Sequence, residues 1–204
     1  PQALYVKSAG VKKGELDPAF LHQELSLLVQ HYLNDEPMQL PLGSYDIVFG
    51  PAATADLISF MNWIGFNGGL MKRGFSFLDE KQVNQKVFSK KFTLTDDPDR
   101  METYPFKRDL MGMTRKRIPI FEEGVFRGFT WFQDDADEFG AQPTGHTVYH
   151  KSLVLKGGDQ GINSLEALVK MPRDKDVLYV PFLHYMNIVN PSKAILTGSS
   201  RFGA

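Results

Sequence analysis

The sequence predicts an α+β fold: a large, mostly antiparallel and partly barrel-like β-sheet with two N-terminal helices and one short later helix. Two observations carry this prediction. Apolar residues recur at helical spacing up to about residue 64, and aromatic and β-branched runs broken by turn residues follow from about residue 70. The 204 residues contain no internal repeat or long linker, and 42% of them are hydrophobic, which is enough for a packed core. We therefore expect residues 1–204 to form a single domain.

Two helices are predicted in the first third of the chain. The Asp-Pro pair at residues 17–18 is a helix-start signal, because Asp caps free backbone N–H groups and Pro fits the first helical turn. Apolar residues at helical spacing extend this helix to about residue 33. A short β-rich segment at residues 45–49 precedes the second helix, which begins at Pro51 and ends near Gly65.

Strand-like segments dominate the rest of the sequence. They are rich in aromatic and β-branched residues and are bounded by turn residues, and they comprise residues 86–95, 117–121, 125–132, 147–155 and 177–189. Gly124 is predicted to take a left-handed conformation in a hairpin turn. One short helix, capped by Ser164, is predicted at residues 164–170.

Composition limits the classes of partner. The formal net charge of −1 gives no basic surface for a polyanion, so we expect no nucleic-acid partner. No apolar run approaches the ~20 residues of a membrane span, so we expect no membrane partner. The absence of cysteine excludes disulfides and thiolate metal sites and fits a reducing cytoplasm. Because the chain starts at Pro1 without a methionine, we expect it to be part of a longer protein.

Histidines and carboxylates are the candidate sites of chemistry in this sequence. His146 and His150 have the spacing of two metal ligands on a helix, but the residues between them favour a strand, which separates the two side chains by roughly 13 Å. We therefore expect no metal and no other cofactor. Acidic residues cluster at residues 96–99 and 134–138, where they could act as general acids or bases. Their context favours a turn for the first cluster and a solvated stretch for the second.

A series of short motifs resembles the TldD/PmbA family, whose members are also described as modulators of DNA gyrase. The motifs follow the order of that family's C-terminal domain, and they lie at residues 41–53, 74–78, 86–89, 92–98, 120–126 and 143–146. Each motif is short, and the shared order is what indicates the family. The resemblance extends over roughly residues 16–203.

The resemblance implies a cytoplasmic protein that acts on peptides and has an N-terminal α/β domain, which this sequence lacks. Relatives also continue beyond the region that resembles the last residues here, so we expect a truncated C-terminal end at Ala204. In the TldD branch, a His-Glu-x-x-x-His helix and a cysteine hold zinc. The corresponding segment here, residues 55–64, contains neither His nor Glu. The resemblance therefore indicates the PmbA branch, also called TldE, with no catalytic residue and no metal ligand of its own.

Three functions remain open. The first is a non-catalytic subunit that pairs with a TldD-like catalytic subunit, or with a second copy of itself, and helps to hold a peptide substrate. The second is an enzyme of another class that uses Asp or His side chains, and the third is a peptide- or protein-binding module without a protease partner. The candidate residues for a peptide cleft are Asp96, Asp97, Asp109, Gly145 and His146.

Overall fold

The computed structural model describes residues 4–36, 38–103, 106–146, 151–158, 162, 164–172 and 174–200. The predicted α+β class is confirmed, with helices and antiparallel sheets in one chain. The chain divides into two compact units. The first comprises Pro1–Thr54, Asp159–His184 and Ser199–Ala204, and the second comprises Ala55–Gly158 and Tyr185–Gly198.

In the first unit, the predicted N-terminal helix is confirmed as α1 (Pro18–Asn34). The Asp17 side chain accepts hydrogen bonds from the backbone N–H groups of Ala19 and Phe20 at 3.0 and 3.1 Å, which satisfies two donors that the first helical turn leaves free. The Glu24 carboxylate of α1 accepts a hydrogen bond from the backbone N–H of Leu165 at 3.1 Å. This bond ties α1 to the segment that forms the predicted short helix.

That short helix is confirmed as α5 (Leu165–Val169), and the Ser164 side chain caps it by accepting from the Ala167 N–H at 3.1 Å. The same unit contains a parallel pair of strands, β1 (Ile47–Phe49) and β6 (Leu178–Val180). The second predicted N-terminal helix follows β1 as α2 (Pro51–Ile64), most of which belongs to the second unit.

The second unit contains an antiparallel sheet of four strands. The strands are β2 (Leu94–Asp96), β3 (Ile118–Glu122), β4 (Val125–Phe126) and β5 (Leu153–Leu155). Their order across the sheet is β4, β3, β2, β5. Two further strands, β7 (Leu183–Asn190) and β8 (Ile195–Ser200), pair with each other.

The core of the second unit is built from aromatic side chains. Phe121 of β3 is fully buried, and its ring centroid lies 5.2 Å from that of Phe126 and 5.1 Å from that of Phe88. The turn between β3 and β4 places Gly124 at φ +80°, which confirms the predicted left-handed glycine. A Cβ at Gly124 would lie 2.1 Å from the carbonyl oxygen of Phe88, so the close approach of two backbone segments also requires glycine here.

The predicted partly barrel-like sheet is wrong. Within the described ranges the strands form separate sheets of two, four and two strands, and none of these sheets closes on itself. The reason is that much of the aromatic sequence contributes to the core from loops rather than from strands. Phe88 and Phe92, in the predicted strand at residues 86–95, pack against Phe121 in this way, and only residues 94–96 of that region pair as a strand.

Two helices were not predicted. Gly68–Lys72 forms α3, which is capped by the Asn67 side chain and follows the predicted end of the second helix near Gly65. Gln133–Phe139 forms α4 within the predicted solvated acidic stretch, and Gly140 ends it in a left-handed conformation. Among the helices that the structure describes, none combines the length and the apolar character needed to cross a bilayer.

Candidate functional site

The β2–β5 pairing brings together two polar residues in the interior of the second unit. Asp96 is the last residue of β2, and it lies opposite Leu153, the first residue of β5. The residue before Leu153 is Ser152, whose carbonyl accepts a hydrogen bond from the Asp97 N–H at 2.8 Å. The antiparallel register therefore fixes Ser152 beside the Asp96 carboxylate.

The Asp96 carboxylate is saturated with donors. Arg115 Nη2 lies 2.7 and 2.8 Å from its two oxygens, and the Ser152 N–H donates to Oδ1 at 2.5 Å. Arg115 Nη1 also donates to the Ser152 hydroxyl at 3.2 Å, and the Arg115 guanidinium stacks 4.0 Å from the Phe106 ring centroid. These contacts join the end of β2 to the segments that lead into β3 and β5.

His146 completes this group. Its Nε2 lies 2.5 Å from Asp96 Oδ2, and its Nδ1 lies 2.8 Å from the Thr144 hydroxyl. Because an ionised carboxylate can only accept, Nε2 carries a proton toward Asp96. The Thr144 hydroxyl also accepts from the Trp131 N–H at 2.7 Å. We call Asp96, Arg115, His146 and Ser152 the Asp96 cluster.

The Asp96 cluster is closed to solvent. Relative exposure is 0% for Asp96 and Ser152, 1% for His146 and 4% for Arg115. Burial alone would raise the pKa of Asp96, but the hydrogen bonds and positive charges of His146 and Arg115 outweigh it and hold that pKa below its ordinary value. The carboxylate is therefore a fixed anion that orders three chain segments. In this arrangement no substrate can reach it.

The other predicted cleft residues contribute no described side-chain hydrogen bond to this cluster, although the Asp97 N–H bonds to Ser152 and Gly145 packs against the backbone of Arg115. Asp97 is half-buried, and its Oδ2 lies 3.5 Å from Nε of the exposed Arg117. Asp109 is buried in its own turn, where Oδ1 accepts from the N–H groups of Met111 and Met113 at 2.9 Å each. Gly145 is also buried, at φ +73°.

Of the five predicted cleft residues, Asp96 and His146 are the two whose side chains bond to each other among the described residues. The assignment of all five to a peptide cleft stays a prediction. His150, considered with His146 as a metal ligand, lies outside the described residues. In the part of the chain that the structure describes, no three His, Asp or Glu side chains form a group that could hold a metal ion.

A cavity of about 240 Å³ lies near the Asp96 cluster in the same unit. It is lined by one face of α2 and the start of β5, and its lining residues are Ser59, Phe60, Asn62, Trp63, Lys151 and Leu153. The Lys151 ammonium donates a hydrogen bond to the Asn62 side-chain carbonyl and lies 5.7 Å from the Phe66 ring centroid. The walls are mostly aromatic and aliphatic, and the lysine provides a cationic group.

The electrostatics of Lys151 differ from those of Arg115. Burial lowers the pKa of Lys151 to about 7, the negative charge of Asp96 opposes this change, and the positive charge of Arg115 adds to it. Within the described residues, no Asp or Glu oxygen lies within 4 Å of the Lys151 ammonium. Asn62 is a neutral acceptor, so the described contacts leave the charge of Lys151 without a direct counter-ion.

The sequence predicts no cavity at this place, although it contains one signal for it. Asn62 lies four residues after Ile58 on α2, so both project from the same helical face, and both are buried. A polar residue on an otherwise apolar buried face indicates a partner in the interior. The identity of that partner, Lys151, depends on how β5 is placed against α2, and no local pattern reveals it.

Comparisons with known proteins identify the fold and the family. The chain has the fold of TldE from Thermococcus kodakarensis (TM-score 0.68, 23% identity, 88% of this chain and 41% of that one). It is similar to a proposed modulator of DNA gyrase from Bacteroides thetaiotaomicron (TM-score 0.67, 22% identity, 94% of this chain and 44% of that one). A protein of the same description from Thermotoga maritima is also similar (TM-score 0.59, 20% identity, 78% and 36%). The chain thus spans less than half the length of each of these structures.

Among curated proteins, none matches the chain. The sequence profile of the PmbA/TldA metallopeptidase C-terminal domain matches residues 42–203, which is most of the chain. This range contains α2, the four-stranded sheet, the Asp96 cluster and the cavity beside Lys151. The chain therefore belongs to the PmbA/TldA metallopeptidase family and carries its C-terminal domain.

Proposed function

We propose that this chain is part of a non-catalytic PmbA/TldE-like subunit of a two-component metallopeptidase. Such a subunit would act in the cytoplasm with a TldD-like catalytic subunit in the maturation or degradation of peptides. The family match and the similarity to TldE support this proposal. The observation that carries it is the composition of helix α2.

On the family resemblance, helix α2 corresponds to the segment that bears the His-Glu-x-x-x-His motif in the TldD branch. Here the whole of Pro51–Ile64 is helical, and it contains no His, Glu or Cys. Zinc in proteins is held by imidazole, thiolate or carboxylate groups at about 2.0–2.3 Å. The one carboxylate on α2 is Asp56, which is exposed, and a single carboxylate cannot hold zinc. The residues of this helix therefore do not fit a zinc site, and we assign no catalytic step to them.

The edge of the four-stranded sheet supports a role in holding a peptide. β5 is the last strand of this sheet, and within the described ranges no strand pairs with its outer edge. An extended peptide can add to such an edge through backbone hydrogen bonds. Leu153 of β5 also lines the cavity beside Lys151, so an added peptide would run close to that cavity.

The test is to measure zinc and peptidase activity of the full-length protein, alone and after copurification with a TldD-like partner. We expect substoichiometric zinc in the protein alone and cleavage of an unfolded peptide only in the presence of the partner. A partner in which the Glu of the His-Glu-x-x-x-His motif, the base that activates the zinc-bound water, is replaced by Gln is the matched control, and it should bind the subunit without cleaving the peptide. Chelator-sensitive cleavage by this protein alone would contradict the proposal.

The alternative is a peptide- or protein-binding module that works without a protease partner. The cavity beside Lys151 favours this alternative, because the described contacts place its cationic group where an added ligand could supply a counter-ion. Binding of a peptide with no detectable association with any TldD-like protein would support the module. An enzyme that uses Asp96 and His146 is less well supported, because both side chains are buried and saturated.

A further inference from the structure

The cavity beside Lys151 combines an amine with aromatic walls. Phe60 and Trp63 lie on one side, with ring centroids 5.8 Å apart, and Leu153 lies on another. The Lys151 amine contacts the neutral carbonyl of Asn62, and among the described residues it contacts no carboxylate. A cation in such surroundings is stabilised by an anion that enters the cavity.

We propose that this cavity binds the carboxylate of a small apolar or aromatic acid, which is either a free acid or the C-terminal residue of a peptide. The Lys151 ammonium binds the carboxylate, and Asn62 keeps the amine aimed into the cavity. Phe60 and Trp63 contact the apolar group of the ligand. This inference rests on the cavity itself, and only the peptide as a source of the carboxylate rests on the proposed function.

The size of the cavity limits the ligand. A volume of about 240 Å³ lies below the ~300–1,000 Å³ of sites that enclose drug-sized molecules. It accommodates one aromatic or aliphatic group with its carboxylate. The walls offer apolar area for that group, and burial of such area contributes roughly 25 cal/mol for each Å² removed from water. A carboxylate without an apolar group, such as acetate, would therefore bind weakly.

The charge state of Lys151 makes binding depend on pH. The groups whose charges act on it are Asp96, which favours the protonated amine, and Arg115, which disfavours it. The His146 ring lies against Asp96, with 2.5 Å between Nε2 and Oδ2. Because the pKa of Lys151 is about 7, a bound carboxylate would draw a proton onto the amine at neutral pH. Affinity should fall about thirtyfold between pH 6 and pH 8.5, as the protonated fraction of the amine falls.

The experiment is isothermal titration calorimetry of the full-length protein with 3-phenylpropanoate at pH 6, 7 and 8.5. We expect saturable binding at pH 6, proton uptake at pH 7 measured in two buffers of different ionisation enthalpy, and the loss of affinity at pH 8.5. The neutral analogue 3-phenylpropanamide should bind at least tenfold more weakly, because it cannot pair with the ammonium.

Variants distinguish the role of the Lys151 amine from the loss of a lysine elsewhere or a loss of folding. Lys151→Met should weaken binding of 3-phenylpropanoate at pH 6 by about tenfold or more, because it removes a charged hydrogen bond. Lys156→Met is the matched control, since Lys156 is exposed and does not line the cavity, and it should leave the affinity unchanged. Thermal unfolding of each variant shows that it is folded. Equal binding by the Lys151→Met variant, equal binding of the amide, or no binding at pH 6 would overturn the proposal.

Two peptides identify the source of the carboxylate. A short peptide that ends in Phe with a free carboxylate is compared with the same peptide as its C-terminal amide. Tighter binding of the free carboxylate supports a peptide terminus as ligand, whereas binding of 3-phenylpropanoate alone supports a free small acid. None of these measurements requires a protease partner. The proposed function can therefore fail while this inference holds, and the reverse is equally possible.

Discussion

The Asp96 cluster and the cavity beside Lys151 each contain a charged side chain of the second unit, but the two side chains have different partners. Asp96 receives hydrogen bonds from Arg115, His146 and the Ser152 backbone, and it is fully buried. Lys151 contacts a neutral amide at the edge of a cavity. The difference teaches that a saturated buried charge fixes structure, whereas a cation without a direct counter-ion beside a cavity offers a place for a ligand.

The largest expected effect comes from removing the acceptor at the centre of the Asp96 cluster. Asp96→Ala should lower the free energy of unfolding by about 3–5 kcal/mol, because it leaves Arg115 buried without its anion. Urea unfolding followed by circular dichroism measures this loss. Asp97→Ala is the matched control, and it should cost less than about 1 kcal/mol, since Asp97 pairs with an exposed Arg117. Equal costs for the two variants would show that the cluster does not hold the fold.

The Asp96 carboxylate should also make the free energy of unfolding fall at acidic pH. The pKa of Asp96 in the folded state is lowered, so its contribution to stability is fully present above the unfolded pKa of about 4. That contribution is lost as the pH falls through the lower folded pKa. In an Asp96→Asn variant this part of the pH dependence should be absent, which urea unfolding at a series of pH values between 5 and 2 would show.

The second effect concerns Lys151, which should also make stability rise with pH, but over a higher pH range than Asp96. Its folded pKa of about 7 lies below its unfolded value, so the unfolded chain binds more protons between these two values, and stability should rise with pH across that range. We expect the free energy of unfolding to rise by about 1–3 kcal/mol between pH 7 and pH 10. This is less than a fully buried lysine would give, because the Lys151 side chain is only partly buried.

The variant that tests this effect is Lys151→Met, which should remove the rise, whereas Lys156→Met should keep it. Chemical unfolding at pH 6, 8 and 10 is the measurement. A rise that persists in the Lys151→Met variant would mean that another group titrates. It would also mean that Lys151 is not the cation whose charge distinguishes the cavity from the Asp96 cluster.

The smallest effect lies at the edge of the Asp96 cluster. Thr144→Val removes the hydroxyl that bonds His146 Nδ1 and the Trp131 N–H, and it should cost about 1 kcal/mol. Thr144→Ser keeps the hydroxyl and should cost less than about 0.5 kcal/mol. Thermal unfolding of both variants measures the difference. If Thr144→Ser costs as much as Thr144→Val, packing of the methyl group matters here and the hydrogen bonds do not.

Local signals predicted the parts of the fold that depend on neighbouring residues in the sequence. The caps of α1 and α5 and the left-handed Gly124 were predicted because side chains and backbone within a few residues decide them. Helix α4 was missed because its acidic residues resemble a solvated loop. One of them, Asp135, forms an ion pair with Arg73 at 2.8 Å, a contact across 62 residues that no local pattern contains.

The candidate site was predicted in part. Asp96 and His146 were selected from the sequence, and the structure brings them to 2.5 Å. Their partner Arg115 was missed, because nothing near it in the sequence distinguishes it from other arginines. The side chains of Asp97 and Asp109 accept hydrogen bonds from backbone N–H groups in their own turns, through Oδ1 in each case.

By itself, the sequence determined the α+β class, the family and the absence of zinc-binding residues on α2, because these follow from which residues are present and in what order. The tertiary structure alone decided that Asp96 is enclosed by donors and that Lys151 lies in a cavity with Asn62. The physical reason is that burial and charge pairing arise between segments distant in sequence. Asn62 and Lys151 are 89 residues apart, and only the folded chain brings their side chains into contact.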